Sequence, residues 1–294
     1  MARDKSLIQG AELWVPQGEV LGFDSAAHRR SVLTSERARL RFQYGEGLPG
    51  AVWAGGRALL WRDLPSGFVP ADAQAKVDAA LGLPLFDGDR LMAVLTLLLG
   101  SRSDAPGCLE IWDVIDELNV LKHGWGYYVH CGEFERLSPF IQFQRGTGLP
   151  GLTWLAGETH VLEDVRSSNA FVRAGLAALC GLRFGVGLPI HRHRQLVQVV
   201  TCFASELQSF IASVELYHPH AGELGAATVF DWSGLTSTRG QSSPDAPGRA
   251  LAQSVLAEQR PAIRALETAA GTEIVLALPL CGKRGLREIL VLRV

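Results

Sequence analysis

His191-Arg192-His193-Arg194 is the densest cluster of reactive side chains in this sequence. Side chains at i and i+2 of a strand end share a face, so His191 and His193 can hold a metal or an anion together. No neighbouring Cys or acid completes a ligand set. A polar hairpin turn accounts for the same residues, and no metal site is assigned. In His218-Pro219-His220 the proline breaks the strand that would aim both rings one way. Gly124-Trp125-Gly126-Tyr127-Tyr128 places aromatic rings that can stack a planar ligand or pack as sheet core. Arg145 stands just before Gly148-Leu149-Pro150-Gly151, where the start of a short helix offers free N–H groups to an anion. The candidate ligand site is therefore Trp125, Tyr127, Phe143, Arg145, Phe171 and Leu182. No cofactor is named by these residues.

The nucleophiles form no pattern. Five cysteines, Cys108, Cys131, Cys180, Cys202 and Cys281, show no paired spacing and read as small core residues. Their odd number fits a reduced, cytoplasmic compartment. No Gly-x-Ser-x-Gly elbow is present. Asp63 and Asp164 recur at one place in two repeats and read as loop caps. The expectation is that the chain is not an enzyme and has no catalytic residues.

These residues sit inside a unit written three times. Gly47-Leu48-Pro49-Gly50 with Trp53 returns as Gly148-Leu149-Pro150-Gly151 with Trp154, the prolines 101 positions apart, and Pro247-Gly248 follows 97 later. Upstream of each stands a strand phrase, Glu12-Leu13-Trp14, Glu110-Ile111-Trp112 and Glu215-Leu216-Tyr217. Downstream comes a Leu-Pro pair, Leu83-Pro84, Leu188-Pro189 and Leu278-Pro279. A unit of roughly a hundred residues is a small domain and exceeds a solenoid repeat of roughly 20–50. The second copy reads β-β-β-α-β-α-β-β. Pro150 suits the first turn of its first helix, and Gly157 ends it. Its second is capped by Asn169, with Phe171, Ala174, Ala178 and Leu182 on the apolar side. The first copy predicts a second helix around Pro70 to Leu81. The third lacks that helix, and a loop from Gly234 to Pro247 precedes its first one.

Composition narrows the partners. The 294 residues carry a net charge of −2 and are 47% hydrophobic. Acids and bases are mixed throughout, so there is no basic stripe for nucleic acid. No apolar run reaches the roughly 18 residues of a membrane span, and Met1 to Lys5 lacks the apolar core of a secretory signal. The apolar bias hints at surface buried against another copy or another protein.

The Gly-Leu-Pro-Gly with Trp three residues on, the short strand ending in Asp, the Phe-led helix and the Gly-Leu-x-x-Gly-x-x-Leu-Pro hairpin resemble the GAF domain. The match runs over Phe143 to Phe203 and Phe42 to Leu97, and in outline over Gly248 to Val294. The resemblance implies an α+β chain of three GAF-like domains, residues 1–107, 108–213 and 214–294. Each would be a central antiparallel sheet covered by short helices. GAF domains bind cyclic nucleotides, bilins, haem or small metabolites, or bind nothing and dimerise. The Asn-Lys-Phe-Asp-Glu signature of cyclic-nucleotide binders is absent, and no Cys precedes a His as in bilin attachment. What the resemblance implies is a non-catalytic sensory protein that binds a small molecule in its second domain and signals through a protein partner. A ligand-free oligomerising or docking scaffold is the alternative. With little chain between copies for connecting helices, the three units are expected to pack tightly on each other.

Overall fold

The computed structural model describes residues 6–29, 37–65, 68–69, 77–100, 106–168, 171–205, 211–232, 238–241, 247–268, 271–282 and 285–294. The first domain holds β1 (Ile8–Gln17), β2 (Val20–His28), β3 (Arg41–Gln43), α1 (Gly47–Gly55), β4 (Leu59–Trp61), β5 (Ala79–Asp87) and β6 (Arg90–Leu99). The second holds β7 (Gly107–Ile115), β8 (Val120–Val129), α2 (Gly132–Leu137), β9 (Gln142–Gln144), α3 (Gly148–Ala156), β10 (His160–Leu162), α4 (Ala174–Leu179), β11 (Leu182–Arg192) and β12 (Gln195–Ser205). The third holds β13 (Ser213–Tyr217), β14 (Ala227–Asp231), β15 (Thr238–Gln241), α5 (Pro247–Glu258), β16 (Ala262–Thr268), β17 (Gly271–Gly282) and β18 (Gly285–Arg293).

Each domain builds one six-stranded antiparallel sheet. The orders are β3-β2-β1-β6-β5-β4, β10-β11-β12-β7-β8-β9 and β15-β14-β13-β18-β17-β16. The first and last long strands of every domain pair at its centre, as in Trp14↔Val94, Trp112↔Val199 and Tyr217↔Ile289. The α+β expectation holds three times over.

Strand alternation gives each sheet two apolar faces. On one, short helices close a private interior. On the other the three sheets meet in a common core, with Leu13, Leu81 and Leu95 beside Ile111, Phe184 and Val200 and beside Val214, Leu276 and Leu290. Phe184 of the second domain packs against Trp232 of the third, ring centroids 4.8 Å apart. The three Leu-Pro strands β5, β11 and β17 converge on a cleft of only about 20 Å³. The described buried hydrophobics divide about evenly between this common core and the domain interiors.

The domains join head to tail in a closed cycle. Arg57 of the first pairs with Asp113 of the second at 3.1 Å, Glu158 of the second with Arg287 of the third, and Arg260 of the third with Asp24 of the first at 2.9 Å. One member of each pair, Arg57, Glu158 or Arg260, sits just past a helix end. Gly56 (φ 59), Gly157 (φ 64) and Gln259 (φ 50) turn the chain there in the left-handed region. That conformation costs an L-residue about 1–2 kcal/mol, while glycine's extra chain entropy offsets part of the gain from removing it. Gln259→Gly should therefore raise stability by about 0.5–1 kcal/mol in chemical denaturation.

Four local expectations change. Leu182 begins β11 and is not on a helix; α4 stops at Leu179 and the chain reverses at Gly181 (φ 69). Helix α2, absent from the expected pattern, buries only Phe134, too short a stretch to show periodicity. Thr238–Gln241, expected as loop, pairs with β14 as an edge strand. Ala79 to Leu81, expected at a helix end, is strand. The rest of that helix, residues 70–76, and the cap Asn169 lie outside the described residues.

Candidate functional site

The strand phrase common to the three repeats carries a carboxylate to the same place in each sheet. Glu12, Glu110 and Glu215 are all buried, on the helix-covered face two residues before Trp14, Trp112 and Tyr217. A buried carboxylate must find a charge partner or strong donors.

In the second domain the partner is Arg173, delivered by the turn that enters α4. Its Nη1 and Nη2 donate to Glu110 Oε1 and Oε2 at 2.8 and 2.7 Å. Ser138 Oγ and Tyr128 Oη donate to the same carboxylate. His123 Nε2 lies 2.9 Å from Tyr128 Oη. Five rings surround the guanidinium: Phe134 at 4.4 Å, Trp112 at 5.4 Å, Phe143 and Phe203 at 5.5 Å, and Phe171 at 5.6 Å. An arginine head favours such faces. The convergent polar groups of this interior thereby satisfy one another inside a ring of aromatic side chains.

Both charges are held firmly. Burial pushes the Glu110 carboxyl up, but the Arg173 charge and the hydrogen bonds from Arg173 and Ser138 outweigh it, leaving the group below its ordinary range. Burial pulls the Arg173 guanidinium down, and Glu110 more than compensates. Neither group can give or take a proton near neutral pH.

The first domain reaches the same result from another part of the chain. Arg37, on a 3-10 turn after β2, donates through Nε and Nη2 to Glu12, the second bond measuring 2.6 Å. His28 Nε2 lies 3.2 Å from Glu12 Oε1. Burial raises the Glu12 carboxyl, and the bonds to His28 and Arg37 bring it net below its ordinary value. In the third domain Glu215 accepts a 2.6 Å bond from Tyr217 Oη. Gly248 leaves room for it, since a Cβ there would sit 2.3 Å from Oε1.

The expected ligand residues are split by the sheet. Phe143, Phe171 and Leu182 are buried in the second interior, the two rings lying against Arg173. Tyr127 belongs to the core between sheets and donates to Asp78 of the first domain at 2.6 Å. Trp125 is 58% exposed. Arg145 lies over Trp154, 5.9 Å from the ring centroid. The His-Arg-His-Arg run is a hairpin turn docked on the first domain: Arg192 Nη1 donates to the Gly55 carbonyl at 2.6 Å and His193 Nδ1 meets Asp89 at 2.7 Å. His191 points elsewhere, beside Pro84 and Pro279; burial and then Arg287 pull its imidazole down to about 4. Among the described residues no group of His, Cys, Asp and Glu is arranged to hold a metal. Cys108, Cys131 and Cys180 pack in the second interior, and all five cysteines are free. Asp164 caps its loop, accepting the Arg166 N–H at 2.9 Å. Glu110 and Arg173 were not singled out from the sequence as site residues; the threefold Glu-x-aromatic phrase was the available signal.

No family model and no curated protein matches the chain. Among solved structures it is similar to the GAF domain of A. aeolicus nlh2 in an inactive state, at 23% identity and TM-score 0.28, over 33% of this chain and 57% of that one. It is similar also to the GAF domain of an Acinetobacter phosphoenolpyruvate-protein phosphotransferase, at 15% identity and TM-score 0.27, over 35% and 55%. A third is the free methionine-R-sulfoxide reductase of Neisseria meningitidis with its substrate, at 14% identity and TM-score 0.27, over 35% and 53%. The chain thus spans little more than half the length of these structures. Reductases of that kind from Thermoplasma acidophilum and Staphylococcus aureus are similar as well. This corrects the expectation that the chain is not an enzyme, because enzymes and non-enzymes share the fold and the fold excludes neither. No described helix is long and apolar enough to cross a membrane. Three antiparallel sheets, each with short helices on one face and each opened by the same strand phrase, make this chain a tandem of three GAF-like domains.

Proposed function

We propose that this tandem of GAF-like domains, a kind of module found in sensory and regulatory proteins, acts as a rigid interaction scaffold. Its units follow the repeats, residues 1–107, 108–213 and 214–294. One observation carries the reading: the buried Arg173 and Glu110 converge inside the second domain and pair with each other. A pocket-bound sensor needs a cavity with a few convergent polar groups. Here the convergent groups satisfy each other. Regulation then acts through protein partners or further copies of the chain, engaged by the outer surface. A reducing, cytoplasmic compartment suits its five free thiols.

Native mass spectrometry of the protein purified from its own cells tests this, with the same spectrum after denaturation. The expected result is the bare chain mass or an integer multiple of it. A discrete extra mass that disappears on denaturation would overturn the scaffold reading in favour of a bound small molecule.

A further inference from the structure

The three junctions of the cycle occupy equivalent positions but differ in chemistry. At each, the second residue past the left-handed helix end enters the next domain's sheet. At the first two junctions it bonds the residue just before the strand position paired with the Leu-Pro proline, as Pro189 pairs with Val199 and Pro279 with Ile289. Between the first and second domains an amide serves. Gln198 Oε1 accepts the Ala58 N–H at 2.7 Å, and its Nε2 donates to Asp113, the facing residue of β7, at 2.8 Å. Between the third and first no donor needs satisfying, since the residue past the turn is Pro261 and the equivalent sheet position is Ala93. Pro has no N–H, and an apolar partner suffices there.

Between the second and third domains the same place is held by an acid. Glu288 Oε1 accepts both the Thr159 N–H at 2.8 Å and the Thr159 hydroxyl at 2.5 Å. Glu288 is only 1% exposed, and its Oε2 has no hydrogen-bond partner among the described residues. The amide at Gln198 shows that the site works with a neutral head. An ionised carboxylate here leaves one charged oxygen buried and unsatisfied, which is costly, whereas a protonated one carries no charge.

We propose that Glu288 is a proton-binding latch: the junction between the second and third domains is tight when its carboxyl is protonated and loosens when it ionises. The Gln198 junction has no such response.

The surroundings agree. Burial is the main effect and raises the carboxyl above its ordinary value; the two Thr159 hydrogen bonds and His218 oppose it, and Glu158 adds to it. His218 follows Tyr217 and is exposed to solvent, so its charge is screened. Glu158 is itself paired with Arg287, the neighbour of Glu288 in β18. A carboxyl raised in the folded state contributes stability that is complete below the ordinary value of 4.5 and lost as pH rises through the folded value.

Hydrogen exchange of the unmodified full chain at pH 5.5 and pH 8, corrected for intrinsic rates, reads both junctions at once. The amides of residues 159–162 should lose protection at pH 8, by up to about tenfold per pH unit across the titration. Those of residues 58–61 should not. In E288Q the pH dependence at 159–162 should vanish and protection at pH 8 should exceed the wild type; Q198E should confer pH dependence on 58–61. Equal pH response at both junctions of the wild type overturns the latch. So does an E288Q junction no better protected at pH 8 than wild type.

Discussion

Arg173→Ala should destabilise the protein by about 3–5 kcal/mol in urea denaturation, because it strands a fully buried Glu110 carboxylate without its counter-charge. The lost volume adds to this, since five rings pack around the guanidinium. The cause is separable by a double variant. Glu110→Gln with Arg173→Met removes both charges and keeps most of the volume, and buried pairs replaced in this way are often neutral in stability. It should recover most of the loss. A double variant as unstable as Arg173→Ala would mean that shape, not charge, is what Arg173 supplies. The pair also sets an acid limit. Glu110 is held below its ordinary value of 4.5, so the stability it contributes is present above that pH and is lost as pH falls through the lower folded value. Acid thus weakens the domain interiors while it tightens the Glu288 junction, and the two effects can be told apart by where exchange appears.

Phe184→Ala should cost about 3–5 kcal/mol as well, and should do so for the whole molecule. Phe184 is 4% exposed and lies in the core common to all three sheets, against Trp232 of the neighbouring domain. A cavity there is felt by two domains at once. Circular dichroism, reporting all sheets, and Trp fluorescence, weighted to the first two domains, should shift to lower urea together. Separate midpoints for the two probes would show that the second domain fails alone.

The repeated architecture was legible because its markers answer backbone needs that recur with the fold. Gly50 and Gly151 are examples: a Cβ on either would meet the carbonyl of Gln43 or Gln144 at 2.1 and 2.2 Å. Helix α3 runs Gly148–Ala156, with Pro150 in its first turn and Gly157 as its left-handed cap. The interior was not legible. Glu12, Glu110 and Glu215 recur, yet their partners do not: Arg37 comes 25 residues after its carboxylate and Arg173 comes 63 after. A pair closed from different loops leaves no common spacing. Tyr127 was grouped with Phe143 by residue type, but strand alternation sends it through the sheet to the other face. The short links between copies imply that the units pack together, but which sheet face that packing buries depends on how the three sheets meet.

The claim that these three domains form one closed body is tested most directly by scanning calorimetry of the full 294-residue chain. The account predicts a single transition whose van't Hoff enthalpy matches a calorimetric enthalpy of about 200 kcal/mol near 60 °C. Two or three resolved transitions, each with the enthalpy of a hundred-residue domain, would contradict it and leave three GAF-like domains that merely touch.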